Sequence, residues 1–510
     1  MIATVTKVRA NRGAAGPASS AWLIYLPGLL VWLALYIAII RNGGRFLYEE
    51  RFSIMQSLDP NALAEQFWPS LLSLHIQPPL LNALYGVTDG PEAPRNLGLV
   101  YALASLLTIL MVVHTVRLVG LGSLWAAVSG LLYALLPGTV LYSLFPYSTT
   151  IVAFLMMACI WGVALATSHP TLGVTMSALG ATGLFLTRAS FLWAFVLVWL
   201  VALGVLFARV RSHDRRTGMI VVLASCAVAV IVVQGHYFLS FGTPTLSSWS
   251  GQNLYGAVSE VGLSPETRAD LSAQDPCFAE LIAVGPWQPP SSYPTCLGVG
   301  GEPIGGTLAL DEAAKVSPGV GINFNNGSLL LLSKQWSALS MAAVMQEPSA
   351  EWGLIAGEDG KDGSLALFLG RSDVYYETLD LQKTFAPWLW SLLGVWSWIF
   401  PKLAWAILLM ALIRAAVDRR ARQQLPTVFW FASGLLLFHA AVSIAAEIGE
   451  NQRFRAEADP VLVVAMLLAV ASLLTWRRRE VACADAAGLP TRHEDARDSG
   501  ALGVSGLPGT

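Results

Sequence analysis

The sequence predicts an all-α polytopic membrane protein with about ten transmembrane helices and a small extracytoplasmic domain of mixed α/β structure. Of its 510 residues, 55% are hydrophobic and only 13% are charged, a composition typical of chains that cross a membrane many times. The apolar residues gather in long runs, and the basic residues gather in short clusters between those runs. A formal net charge of -2 also argues against a nucleic-acid partner, because it supplies no basic surface to neutralise a phosphate backbone.

Ten apolar runs are candidates for membrane-spanning helices. The first follows a short basic segment, residues 1–20, which we assign to the cytoplasm; because this run lacks a small-residue cleavage site before Arg41, it is interpreted as an uncleaved anchor. We divide the spans into a transmembrane module, residues 21–239, and carboxy-terminal helices, residues 387–476. The runs cover residues 21–40, 97–116, 123–143, 147–167, 172–187, 190–208, 218–239, 388–413, 427–446 and 459–476.

The basic clusters predict an orientation, because short cytoplasmic loops carry an excess of Lys and Arg. With ten crossings and a cytoplasmic amino terminus, four clusters fall in the cytoplasm: Lys7–Arg12, Arg209–Arg216, Arg414–Arg422 and Arg477–Arg479. We therefore expect a multi-pass protein of the cell inner (plasma) membrane with both termini cytoplasmic. The polar, Ala- and Gly-rich residues 477–510 are expected to form a disordered cytoplasmic tail.

The same topology places three polar segments on the outer face: the first external loop, residues 41–96, the long segment 240–386, and the short link 447–459. Segment 240–386 is too long for a bare loop and is predicted to be an extracytoplasmic domain. It contains Cys277 and Cys296. These two cysteines either form a disulfide outside the cytoplasm or remain two free thiols.

The candidate catalytic residues lie in the first external loop. Glu49 and Glu50 follow the first span directly, and in a helix over residues 48–58 their side chains would point in different directions. A carboxylate at a membrane surface can act as a general base or hold a divalent cation. Alternatively, the two acids simply balance Arg45 and Arg51 at the interface.

His75 and Gln77 lie just before a double proline in the same loop. Pro78 and Pro79 restrict the backbone and so present the preceding polar side chains in one orientation. This rigidity suits a substrate-binding loop. It equally suits the start of the helix that follows, where proline is favoured in the first turn.

Three arginines are candidates for binding an anion at the outer membrane edge. Arg188 lies between two apolar runs without an acidic neighbour in sequence, so it requires a buried partner or a ligand such as a lipid phosphate; interfacial snorkelling is the alternative. Arg453 and Arg455 lie among acids in the link EIGENQRFRAEADP, which opens the last span. This link either clamps a phosphate or a sugar, or its charges pair with one another on a solvated turn.

One stretch of the external segment has the composition of a sugar-binding surface. SSWSGQNLYG brings Asn253 close to Trp249 and Tyr255 directly after a span. Amides beside aromatic rings are typical of sugar sites, but aromatic residues also populate membrane interfaces. Asn253 is therefore a candidate substrate-binding residue, with packing onto the bilayer as the alternative.

Together these motifs resemble the GT-C superfamily of polytopic glycosyltransferases, especially the relatives of protein O-mannosyltransferases and of the aminoarabinose transferases that act on lipid A. In that family an acidic pair followed by an aromatic residue opens the first external loop, as Glu49-Glu50-Arg51-Phe52 does here, and a polar residue precedes Pro-Pro-Leu, as in HIQPPL. LTRAS around Arg188 and GENQRFRAEADP are also similar to family segments. The leading acid of the family is usually Asp, so here either Glu49 or Glu50 is the candidate base.

The resemblance implies transfer of a sugar from a polyprenyl-phosphate donor to an acceptor hydroxyl of a glycan, lipid or protein on the extracytoplasmic face, with inversion. It requires no cofactor, although a divalent metal such as Mg or Mn fits the acids; membrane lipids are further partners. The implied catalytic residues are Glu49 and Glu50, and the implied substrate-binding residues are His75, Gln77, Arg188, Arg453 and Arg455. Asn253 joins them as a candidate from the composition of its own segment. There are two alternatives: a transporter, and an inactive protein that binds lipid-linked sugar or acts as a scaffold.

Overall fold

The computed structural model describes the chain in segments. These are residues 22–41, 43–48, 60–74, 77–208, 210, 212–241, 246–247, 255, 263–285, 327–346, 368, 387–446 and 451–486. Of the described residues, 85% are helical and none lies in a strand. The prediction of an all-α polytopic membrane protein is thereby confirmed, whereas the predicted α/β character of the external domain finds no support in the described residues.

Eighteen α-helices are described, numbered here in chain order, with short 3-10 helices at Leu23–Tyr25 and Tyr142–Leu144. The helices are α1 (Leu26–Arg41), α2 (Pro60–Glu65), α3 (Phe67–Ser73), α4 (Pro79–Thr88), α5 (Ala93–Leu118), α6 (Ser123–Ala134), α7 (Pro137–Leu141), α8 (Ser148–Leu165), α9 (Pro170–Thr187), α10 (Trp193–Phe207), α11 (His213–Phe241), α12 (Pro265–Gln274), α13 (Pro276–Val284), α14 (Gly327–Gln346), α15 (Pro387–Val417), α16 (Arg419–Gln424), α17 (Thr427–Ala446) and α18 (Asn451–Ala486). Proline opens several of them, because its missing N–H would have no partner in the first turn.

Within the described ranges, seven helices are long and apolar enough to cross a membrane, and an eighth span results if α6 and the segment Pro137–Leu144, bent by 69°, cross together. The seven are Leu23–Arg41, Ala93–Leu118, Ser148–Leu165, His213–Ser240, Leu392–Val417, Thr427–Ile444 and Phe454–Leu474. Helices also occupy the two other predicted runs, but α10 has only 15 residues and α9 is not among the seven. The predicted count of ten is therefore not reached by length and composition.

Helices α8 and α9 approach each other closely because glycines line their contact. A Cβ atom at Gly162 would lie 2.5 Å from the backbone nitrogen of Ser177, and one at Gly173 would lie 2.2 Å from that of Ala166. Small residues of this kind let helices pack in a membrane, where no hydrophobic force drives them together. The many Gly, Ala, Ser and Thr residues that permit this packing also make α9 less apolar than a lipid-facing span.

The segment 240–386, predicted to be external, contributes a separate small helical core in which α12, α13 and α14 pack together. Tyr255 is 2% exposed in this core, and its ring lies 4.8 Å from that of Trp336. Burial raises the pKa of Tyr255 to about 12, an effect that the charge of Arg268 partly opposes. Tyr255 is thus a core residue and not part of an exposed sugar-binding surface. Cys277 is disulfide-bonded, and Cys296, its expected partner, lies outside the described residues.

The last helix, α18, is the centre of the membrane bundle. All residues from Phe454 to Ala469 are buried, and the helix packs against α5, α6, α8, α15 and α17. It also continues to Ala486, past the predicted end of the span at residue 476. Arg455, Glu457 and Asp459 therefore lie inside the protein, and not on the solvated turn that the sequence allowed.

Candidate functional site

Three charged side chains near the start of α18 are removed from solvent. Arg455 and Glu457 are 0% exposed, and Asp459 is 2% exposed. A buried charge costs several kcal/mol unless it is paired and hydrogen-bonded, so partners from other helices are required. The structure supplies them in two groups.

The first group joins Arg188, at the carboxyl end of α9, to Glu457 and to His439 of α17. Arg188 Nη1 donates to Glu457 Oε1, while His439 Nε2 lies 3.5 Å from Glu457 Oε2. His439 Nε2 also bonds the main-chain carbonyl of Phe454 at 2.8 Å, and since a carbonyl only accepts, this nitrogen carries the proton. The Glu457 carboxylate thus connects three helices. We call Arg188, Glu457 and His439 the ion-pair cluster.

Aromatic rings enclose the ion-pair cluster. The guanidinium carbon of Arg188 lies 3.6 Å from the centroid of the Phe454 ring, a cation–π arrangement. The ring of Phe191 stacks on His439 at 5.4 Å with 6° between the planes. The side chain of Arg188 is 10% exposed, whereas that of Glu457 is fully buried. Within the cluster, Arg188 is therefore the charged group that an incoming anion can approach.

The second group fixes Arg455 between α18 and α15. Arg455 Nη1 donates to the main-chain carbonyl of Ser397 at 3.1 Å, Nη2 donates to Ser397 Oγ at 3.3 Å, and Nε lies 3.6 Å from Asp459 Oδ1. Pro401 explains this arrangement, because a proline has no N–H to donate to the carbonyl four residues before it, which is that of Ser397. The guanidinium of Arg455 takes the place of that missing donor.

Replacement of Ser397 by alanine is expected to lower the free energy of unfolding by about 1.5 kcal/mol, because it removes one acceptor from a buried guanidinium. Ser433 of α17 provides a matched control. It is 2% exposed, and its Oγ has no hydrogen-bond partner among the described residues, so Ser433→Ala should be neutral or stabilising. Equilibrium unfolding in mixed micelles measures the free energy of unfolding of both variants. An equal loss of stability in the two would contradict this account of Arg455.

The end of the first external loop that precedes Glu49 packs at the start of α18. The main-chain N–H of Leu47 donates to the carbonyl of Leu144 at 2.9 Å, and Tyr85 Oη donates to the carbonyl of Pro146 at 2.5 Å. The residues Phe46 to Tyr48 and Tyr85 belong to one apolar cluster that also contains Ala456. Residues 46–48 and the buried charges are thus brought to the same end of the bundle.

Helix α11 holds another part of the first external loop. Tyr237 Oη donates to the main-chain carbonyl of Gln77 at 3.4 Å, and His236 Nε2 bonds the carbonyl of Leu72 at 2.8 Å. Gln77 is half-buried, and this bond anchors it through the main chain. The loop around the double proline is therefore attached to α11 on both sides of residues 75–76.

The predicted site residues have different outcomes. Arg188 lies beside the segment that opens α18, where it contacts Phe454 and Glu457, whereas Arg455 is buried and holds α15. Arg453 lies in the first turn of α18, and its side chain is outside the described part. Glu49, Glu50, His75 and Asn253 also lie outside the described residues, and among the residues that are described no group of three or more His, Cys, Asp or Glu could hold a metal ion.

Two members of the ion-pair cluster were not predicted as site residues. The sequence indicates Glu457 only as one acid of the link, and its motifs do not include His439, although His439 is the single ionisable residue of the apolar run 427–446. An ionisable residue within a span is by default a candidate for a buried partnership, and this signal would have identified it.

The fold and the site define an all-α polytopic membrane protein with buried charges at the end of the bundle where residues 46–48 pack. Comparison with models of protein families, with curated proteins and with solved structures finds no match to this chain.

Proposed function

We propose that the protein is a membrane glycosyltransferase of the GT-C type, which moves a sugar from a polyprenyl-phosphate donor to an acceptor hydroxyl on the extracytoplasmic face. In this proposal the chain lies in the cell inner membrane, crosses it ten times with α9 and α10 included, and keeps both termini in the cytoplasm. One observation carries the proposal. Phe46 to Tyr48, directly before Glu49, pack in one cluster with Ala456, next to Arg455 and one residue from Glu457, which binds Arg188.

The chemistry assigned to this end of the bundle is a single displacement. Glu49 or Glu50 accepts the proton of the acceptor hydroxyl, and the hydroxyl oxygen forms a bond to the anomeric carbon of the sugar. The bond from that carbon to the phosphate oxygen breaks on the opposite side, which inverts the configuration. The released lipid phosphate keeps the electron pair and carries the developing negative charge.

Arg188 is assigned to stabilise the leaving lipid phosphate, which is the largest contribution expected from such a site. Its guanidinium has five donor hydrogens, and Glu457 orients it by accepting one of them. Because Arg188 and Glu457 carry no net charge together, a second cation is needed to hold a phosphate, and Arg453 in the first turn of α18 is proposed for it. His75, Gln77 and Asn253 are proposed to position donor or acceptor, whereas Arg455 is reassigned to holding α15.

The proposal is tested by sugar transfer from synthetic polyprenyl-phosphate sugars with the purified protein in lipid. We expect one of Glu49→Gln and Glu50→Gln to lower turnover by about 10²-fold or more, because loss of a general base removes its proton transfer. Glu92→Gln is the matched control, since Glu92 is 66% exposed and pairs only loosely with Arg95 at 3.6 Å. That variant should retain full turnover.

Two other outcomes would redirect the assignment. Absence of turnover with a broad panel of donors, together with measurable binding of polyprenyl phosphate, would favour an inactive protein that binds lipid-linked sugar or acts as a scaffold. Absence of both turnover and binding would favour a transporter.

A further inference from the structure

Lys402 lies within the apolar span Leu392–Val417 of α15. A lysine inside a span is energetically costly, and in membrane proteins it generally marks a functional contact. No carboxylate of the described residues lies within ion-pair distance of its ammonium. The ammonium nitrogen instead lies 3.5 Å from the centroid of the Trp398 ring, one helical turn earlier.

The face of α15 around Lys402 is exposed and apolar, as expected of a surface that faces lipid. Trp398 is 48% exposed, Val395 is 54% exposed and Leu403 is 51% exposed, and all three belong to an apolar membrane span. Lys402 itself is half-buried on this helix. An anion that meets its ammonium from this side must arrive from the bilayer, and therefore must be carried on an apolar tail.

The direction of the side chain agrees with such a ligand. Side chains in a helix lean toward its amino end, and the ammonium of Lys402 accordingly lies over Trp398 and not further along the span. Ser397, which receives the bonds from Arg455, is the neighbour of Trp398 in sequence. Lys402 thus reaches toward the same end of the bundle as the buried charges.

We propose that Lys402 and Trp398 form a binding site for the phosphate group of a membrane lipid, which enters from the lipid-facing side of α15. The ammonium pairs with the phosphate, and the exposed indole packs on the lipid tail and keeps the ammonium in place. An ordinary anionic phospholipid and a polyprenyl phosphate both offer this chemistry. Only the second source rests on the proposed function.

The test measures lipid binding to the purified full-length protein by native mass spectrometry, with phosphatidylglycerol and polyprenyl phosphate titrated separately. Lys402→Met is expected to weaken binding of at least one of these lipids about tenfold, which corresponds to the loss of one charge-assisted contact. Lys402→Arg should preserve binding, because arginine also binds phosphate and stacks on indole. Arg419→Gln, at an exposed position just beyond α15, removes the same charge elsewhere and should leave affinity unchanged.

The two lipids distinguish the sources of the phosphate. If Lys402→Met loses affinity only for phosphatidylglycerol, the site is a phospholipid site that is independent of the proposed reaction. If it loses affinity for polyprenyl phosphate, the site serves the donor or its product. Because binding is measured without turnover, failure of the glycosyltransferase assignment leaves this result intact. Unchanged binding of both lipids to Lys402→Met, or an equal loss in Arg419→Gln, would overturn the proposal.

Discussion

Replacement of Arg188 by methionine is expected to lower the free energy of unfolding by about 3–5 kcal/mol, because it leaves the fully buried Glu457 carboxylate without the guanidinium that neutralises it. The reverse change, Glu457→Gln, should cost less. Arg188 is 10% exposed and lies over the ring of Phe454, so part of its charge remains stabilised when the carboxylate is gone. Equilibrium unfolding in mixed micelles measures both losses.

The double variant Arg188→Met with Glu457→Met separates charge from shape. Since two apolar side chains need no counter-charge, the double variant should be more stable than Arg188→Met alone and close to the wild-type protein. The single variant Glu457→Met completes the cycle. If the loss of stability in the double variant equalled the sum of the losses in Arg188→Met and Glu457→Met, our interpretation of the ion-pair cluster would be contradicted. The same double variant is expected to fold but to be inactive in sugar transfer, because it lacks Arg188, the residue proposed to bind the lipid phosphate.

Replacement of Gly173 by valine is expected to lower the free energy of unfolding by about 3 kcal/mol, because α8 and α9 would have to move apart. The first added carbon would lie 2.2 Å from the backbone nitrogen of Ala166 and 2.5 Å from the carbonyl oxygen of Gly162. Backbone atoms cannot rotate away as a side chain can, so the whole helix pair absorbs the clash. Denaturant unfolding in micelles and the yield of monodisperse protein both report this loss.

Gly235 of α11 is the matched control for Gly173. A Cβ atom there would meet nothing within 4 Å, although Gly235, like Gly173, lies within a long helix of the bundle. Gly235→Val should therefore change the free energy of unfolding by about 1 kcal/mol or less, which is the scale of helix propensity alone. A comparable loss at both positions would show that valine itself, and not the packing of α8 on α9, is responsible.

The sequence by itself determined the helices and their class, because an apolar run long enough to cross a membrane is a local property of the chain. Helices occupy all ten predicted runs, although only seven or eight qualify as spans. The need of Arg188 for a buried partner could also be predicted, because an unpaired charge between two apolar runs is energetically costly. The helical positions of Trp398 and Lys402, four residues apart, follow from sequence in the same way.

Only the tertiary structure decided which groups meet. Glu457 lies 269 residues from Arg188, and no local spacing connects them. Arg455 had the same expected role as Arg188, yet it is fully buried against Ser397 because α15 covers that side of α18. Which face of a helix is covered depends on the neighbours that pack against it, and those neighbours come from distant parts of the chain. For this reason the sequence could name the charged residues, but their partners and their burial required the assembled bundle.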